Sequence, residues 1–288
     1  MMAMVDLFVE VYVLIDDALQ AGQVRIPPRP GPTPACTDAE VLTVAVMRHL
    51  LGRRSERRWV AEVQRNWGAL FPHLPGQSEF NRRVRWLWGA LEHLRQAVVA
   101  AVPPDPWQQV DTTAVPVKHP SRVRGRDWWV GPNGLQARFG WDAAHREWFY
   151  GFRLARRTDL GRRLVRSWSL VPAAVDERDV ADDHLLTTTP PAGVLLDRGF
   201  AGRAFAAAHA ARGTRVQLAH SRRDRLTLPA VVREAVRRLR NRIETSIGEI
   251  TVRLDLDHHG AKTVWGLLTR LTGILFAHTL LRLAYVQV

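Results

Sequence analysis

Apolar residues recur at helical spacing through the first hundred positions, and shorter, more nearly alternating runs follow. In CTDAEVLTVAVMRHLLG, Thr37 stands as a helix cap with Glu40 three residues on, an apolar stripe follows, and Gly52 supplies the stop. SERRWVAEVQRNWGALF predicts a second helix from Ser55. After the PHLPGQ turn, SEFNRRVRWLWGALEHLRQAVVAAV predicts a third, capped by Ser78. PPDP at Pro103–Pro106 marks a boundary. We therefore divide the chain into a helical region, 1–103, and a second region, 104–288.

Beyond the boundary, WQQVDTTAVPV, EWFYGFRLA and RLVRSWSLVPAAV read as strands, the last two joined by a polar turn with Asp159 and Gly161. A short helix at ERDVADDHLL leads to the strand GVLLD, the helix GRAFAAAHAARG, the strand TRVQLAHS and a long helix, PAVVREAVRRLRNRIETSIGEI. An antiparallel hairpin followed by strand and helix alternation predicts an α/β fold, with a mixed five-stranded sheet flanked by helices. The C-terminal segment from Thr263 is the most apolar, but Arg270, His278 and Arg282 interrupt it. Its uncharged runs fall short of the roughly 20 residues of a membrane span, so it reads as a buried helix with a polar stripe.

Charge changes the picture. Lys and Arg number 41 against 28 Asp and Glu, a formal +13 spread along the chain, which implies a polyanionic partner such as nucleic acid. Nearly all of it is Arg, suited to bidentate phosphate contacts, although a GC-rich coding sequence gives the same bias. The single Cys36 excludes an intrachain disulfide and a cysteine zinc cage. With neither a basic leader nor a cleavage site, the chain is expected in the cytoplasm, with no membrane partner.

Three acids stand out. Asp111 lies within the first strand, Asp197 ends GVLLD, and Glu244 borders the apolar stripe of the long helix. Parallel neighbours would bring the two aspartates to one sheet edge, and a covering helix could add the glutamate. Clustered carboxylates repel one another unless a cation neutralises them, and oxygen-only ligands select Mg²⁺, or Mn²⁺ as substitute. Two such ions would suit phosphodiester chemistry. Each acid also has a plainer reading, as turn or cap residues for Asp111 and Asp197 and a pair with Arg240 for Glu244.

VDTTAVPV, YGFRLA, VPAAVDERDV, LDRGFAG and RNRIETSIGEI, in this order and spacing, resemble a bacterial insertion-sequence transposase of the DDE class with an RNase H-like core. The group most resembled is the insertion-sequence group numbered 982, whose helical N-terminal region and apolar C-terminal helix also have counterparts here. The resemblance implies an RNase H-like sheet, with Asp111, Asp197 and Glu244 as the metal-binding catalytic triad and Arg240 near the DNA backbone. It implies DNA partners, both element ends and target, held by a homodimer. The wider superfamily often carries Tyr seven residues before the glutamate and Lys seven after it, where this chain has Arg237 and Thr251. Arg198 and Lys118 are further candidates for phosphate contact, and Arg82 and Arg83 could serve a helix-turn-helix-like DNA reader or be solvated. Two other functions fit the same residues: a domesticated, non-catalytic DNA-binding protein, and a structure-selective nuclease.

Remaining features have plainer expectations. Asp176, Glu177 and Asp179 are read as beginning and capping a helix, Phe200 as core, and the adjacent His258 and His259 as a DNA-contacting or structural loop. Ser121–Gly140, with Trp128 and Trp129, is either a DNA-facing loop or packing at the sheet edge.

Overall fold

The computed structural model describes residues 4–125, 129–142, 145–186, 190–200, 202–218, 234, 238, 245 and 248–283, the side chains of 183–185 and 198 excepted. Its helices are α1 (Met4–Gln20), α2 (Asp38–Leu50), α3 (Glu56–Asn66), α4 (Gln77–Trp86), α5 (Trp88–Ala100), α6 (Glu177–Val180), α7 (Arg203–Ala210) and α8 (Val264–Arg282). Its strands are β1 (Trp107–Lys118), β2 (Arg138–Asp142), β3 (Glu147–Asp159), β4 (Val165–Pro172), β5 (Gly193–Leu196) and β6 (Arg215–Leu218). Two compact units divide the chain: Met1–Val102 with Ile250–Val288, and Pro103–Glu249.

In the helical unit, α2 begins as its capping box predicts. The Glu40 amide donates to Thr37 Oγ1 at 3.2 Å, and the Thr37 amide donates to Glu40 Oε2 at 2.5 Å. Such a cap contributes about 1 kcal/mol. An aromatic cluster of Phe8, Trp59, Trp67 and Phe71 ties α1 to α3 and the turn after it. The expected long helix from Ser78 differs in two respects. It starts after Gly76 without a side-chain cap, and it breaks at the fully buried Leu87 (φ −89°, ψ 4°) into α4 and α5. Helix α8 packs against α2, α4 and α5, so by contacts it belongs with the helical unit and not with the 104–288 region to which the sequence boundary gave it. It is long and apolar enough to cross a membrane, yet most of it is buried among those helices.

The second unit is built on one mixed sheet. β1 pairs antiparallel with β3 on one side and parallel with β5 on the other, β5 pairs parallel with β6, and β4 pairs antiparallel with β3. The order β4-β3-β1-β5-β6 is that of the expected five-stranded RNase H-like sheet. A sixth strand, β2, extends the β4 side by pairing with the first residues of β3. Gly140 makes the junction possible, because a Cβ there would stand 2.5 Å from the Ala173 carbonyl oxygen. One sheet face is covered by a core that includes Val110, Ala155, Val194, Leu196, Phe200 and Phe205. Phe200 is core, as the sequence predicts.

Candidate active site

The parallel ladder between β1 and β5 sets Trp107 opposite Gly193, Gln108 opposite Val194 and Gln109 opposite Leu195. Asp111 lies two residues beyond Gln109 within β1, and Asp197 lies two beyond Leu195, just past the end of β5. The parallel pairing therefore runs toward both aspartates, at the same end of the two strands. The close start of the ladder depends on Gly193, since a Cβ there would meet the Trp107 ring at 2.6 Å. Asp197 follows the last residue of β5, and its carbonyl accepts the Phe200 amide at 3.1 Å across a tight turn.

Asp111 is held from β3. Arg156, directly opposite it in the antiparallel register, donates from Nη2 to Asp111 Oδ2 at 3.0 Å and to Thr113 Oγ1 at 2.9 Å. The Arg156 side chain is only 4% exposed, while that of Asp111 keeps 23%. Burial pushes the Asp111 carboxyl above its usual value, Arg156 opposes that push by charge and hydrogen bond, and the charge of Glu177 adds to it. Burial likewise lowers the Arg156 guanidinium, with Asp111 opposing. Each charge therefore favours the ionised form of the other in this site.

Glu177 is the residue whose place the sequence did not reveal. Asp176 is the helix cap, accepting the Arg178 amide at 2.8 Å. Glu177 instead accepts the Thr112 hydroxyl and, at 3.0 Å, Arg153 Nη1. Thr112 faces away from Asp111, so Glu177 supports β1 from the opposite side of the sheet. A Cβ at Gly199 would stand 3.2 Å from Glu177 Oε2, so the glycine in LDRGFAG lets this carboxylate approach the turn after Asp197. Arg153 completes the brace by donating to the Ala173 carbonyl at 3.1 Å and the Trp141 carbonyl at 2.7 Å. The only sequence sign of this role was an acidic run after a strand, and capping accounted for it.

The other predicted residues separate. Glu244 and Arg240 lie outside the described residues, as do the side chain of Arg198 and all of Trp128. Lys118 ends β1, half-buried. Arg82 is 77% exposed beside Glu79. Arg83 is corrected: its side chain is 6% exposed, Nη2 pairs with Asp38 at 2.6 Å and Nη1 donates to the Cys36 carbonyl at 2.8 Å. It binds α4 to the start of α2 and presents no charge to a DNA backbone. His259 is buried and its Nδ1 accepts the Ala261 amide, while His258 is exposed beside Asp255. The two rings serve a structured loop. Trp129 is buried against Phe152, which favours packing for its part of the Ser121–Gly140 segment.

Residues 108–280 match the family described as the transposase DDE domain. The chain belongs to this transposase DDE domain family. The match opens one residue into β1 and includes all three acids singled out above. Members of this DDE family are generally catalytic phosphoryl transferases, and the family implies use of a divalent metal. Among the described residues no three acidic, histidine or cysteine side chains converge. Asp111 and Asp197 offer carboxylate oxygens, the hard donors that Mg²⁺ or Mn²⁺ prefers, so the donor chemistry fits. A solved piggyBac transposase synaptic complex with hairpin DNA resembles the chain at 11% identity and a TM-score of 0.37, over 79% of this chain and 50% of that one. The chain thus spans about half the length of that protein, and the strand order, not this likeness, carries the fold assignment. No curated protein matches the chain in sequence.

Proposed function

We propose that this DDE-domain protein is a DNA transposase that cuts at the ends of an insertion sequence of the bacterial type, most like the group numbered 982, and joins the freed ends to target DNA. The observation that carries the proposal is the family match over residues 108–280, which spans β1 with Asp111 and the parallel-paired β5 with Asp197 just after it. With Glu244 from the segment read as a long helix, the carboxylates of Asp111 and Asp197 would hold Mg²⁺, or Mn²⁺ in its place. Bound there, divalent ions supply charge neutralisation at the phosphate undergoing attack.

The chain's own residues do the rest. Arg156 holds the Asp111 carboxylate in one orientation on the middle strand of the sheet. Glu177 holds the neighbouring Thr112 side chain of β1 and is itself held by Arg153 from β3. Arg198, Arg240, Lys118 and the exposed Arg82 are proposed to contact phosphates, and a homodimer would hold the two ends together. Electrostatic attraction to a polyanion follows from the +13 charge.

The test is cleavage of a labelled duplex carrying the gene's own flanking ends, in Mg²⁺, with wild type and Asp197→Ala compared. Site-specific nicking that falls by at least about 100-fold in the variant, with duplex binding retained, is the expected result. Binding without cleavage by the wild type, in Mg²⁺ and Mn²⁺ alike, would replace this reading with a non-catalytic DNA-binding protein. Cutting of branched DNA irrespective of end sequence would replace it with a structure-selective nuclease.

A further inference from the structure

Within the helical unit, a cavity of about 170 Å³ opens between α2, α4 and the start of α8. Four cationic side chains line it, Arg48, Arg85, Lys262 and Arg270, against the single carboxylate of Glu56. That carboxylate is already engaged. It accepts Arg48 Nη1 at 2.9 Å, Gln77 Nε2 at 3.0 Å and Asn81 Nδ2 at 2.8 Å. Arg85, Lys262 and Arg270 make no hydrogen bond or ion pair with the described residues. Arg48, whose side chain is 6% exposed, leaves its Nε without an acceptor.

Like charges crowded into a partly buried space are costly unless an anion joins them. The strain registers on the groups themselves. Burial first, and then the neighbouring Arg270, lowers the Arg48 guanidinium to about 10, with Glu56 opposing. Burial and the same two arginines hold His49 well below its usual value, so it adds no charge at neutral pH. The 19-residue helix α8 also begins at this cavity, with Lys262, its cap Thr263 and Gly266 on the lining. The dipole at a helix N-terminus favours negative charge. At roughly 30 Å³ per water, the space exceeds what a tetrahedral oxyanion requires.

We infer that this cavity is an anion site that takes a phosphate group, held by Arg48, Arg270 and Lys262 at the N-terminus of α8. The phosphate can belong to a nucleic-acid backbone, as a singly charged diester, or to a free phosphate species, singly or doubly charged, and both present tetrahedral phosphate oxygens. The site is separate from the two aspartates and does not depend on the catalytic reading.

Thermal unfolding of the full chain, in phosphate-free buffer at constant ionic strength, tests it with inorganic phosphate as the probe. Saturating phosphate should raise the Tm of the wild type by about 5 °C. Arg270→Gln and Lys262→Gln should each at least halve that rise. Neither replaced side chain makes a hydrogen bond or ion pair among the described residues, so both variants should fold. No rise in the wild type, or an equal rise in both variants, would overturn the site. Duplex binding across a salt series then separates the sources. If a DNA phosphate is the occupant, inorganic phosphate competes with the duplex and Arg270→Gln lowers the salt slope by about one. A phosphate-dependent Tm rise with unchanged duplex binding assigns the site to a free phosphate species. None of these readings uses cleavage, so they stand whatever the catalytic test returns.

Discussion

Adjacent arginines on α4 show how position, more than residue type, decides what a charge does. Arg82 projects into solvent beside Glu79, whereas Arg83 is enclosed between Asp38 and the Cys36 carbonyl. An exposed pair is worth little, but breaking a buried one strands its partner. Urea denaturation should therefore show a loss of about 3 kcal/mol for Arg83→Ala and less than about 0.5 kcal/mol for Arg82→Ala. Asp105 gives a second case, with a pH signature. Its carboxylate accepts the Gly161 amide at 2.8 Å and the Arg162 amide at 3.0 Å, closing the turn between β3 and β4. Burial alone would raise this carboxyl, but the two amides and the Arg162 guanidinium more than offset it and hold it below the usual 3.8. Its stabilisation is thus complete above the unfolded value and fades as pH falls through the lower folded one. Asp105→Asn should cost about 1–2 kcal/mol at pH 7, and the gap from wild type should narrow below about pH 4 in acid titrations of stability.

At the scale of elements, the sequence was most legible where one local rule governed. Thr37 and Glu40 announced α2, and PPDP announced the start of β1. The break at Leu87 was hidden because Val84, Leu87, Leu91 and Leu94 keep helical spacing straight across it. Strand β2 was hidden for a different reason. RFGWD lies in a Gly- and Arg-rich segment, and what makes it a strand is its partner: Phe139 meets Tyr150 at 5.0 Å and Trp141 meets Trp148 at 5.6 Å. Glu177 was hidden because its contacts come from β1 and β3, which are distant in sequence. The positions of Asp111 within β1 and Asp197 just after β5 were legible because both strands are clear in sequence, though only the structure shows that β1 and β5 pair in parallel. The β2 junction has a direct test. Gly140→Ala would press a methyl group against the Ala173 carbonyl. It should destabilise the sheet by about 1–3 kcal/mol and weaken the near-ultraviolet circular dichroism of the Trp141–Trp148 pair. Unchanged stability and spectrum would show that β2 does not abut β4.

Across the whole molecule, the chain builds part of the helical unit, leaves it at Val102, completes the sheet unit and returns at Ile250. Helix α8 then fills the space between α2 and α5, burying Leu267, Leu271, Ile274 and Leu275 and placing Trp265 against Trp88 at 6.0 Å. A chain ending at residue 263 should keep the circular dichroism of the sheet unit and lose the cooperative thermal transition of the helices. Retention of both transitions would show that the helices do not need α8. Synthesis on the ribosome meets the same arrangement in time. The helices before Val102 cannot close their core until α8 appears, about ten seconds or more later at ordinary elongation rates. During that interval their apolar faces stand open to the cell, so the unit begun before the sheet is finished after it and has the greater need of a chaperone's protection.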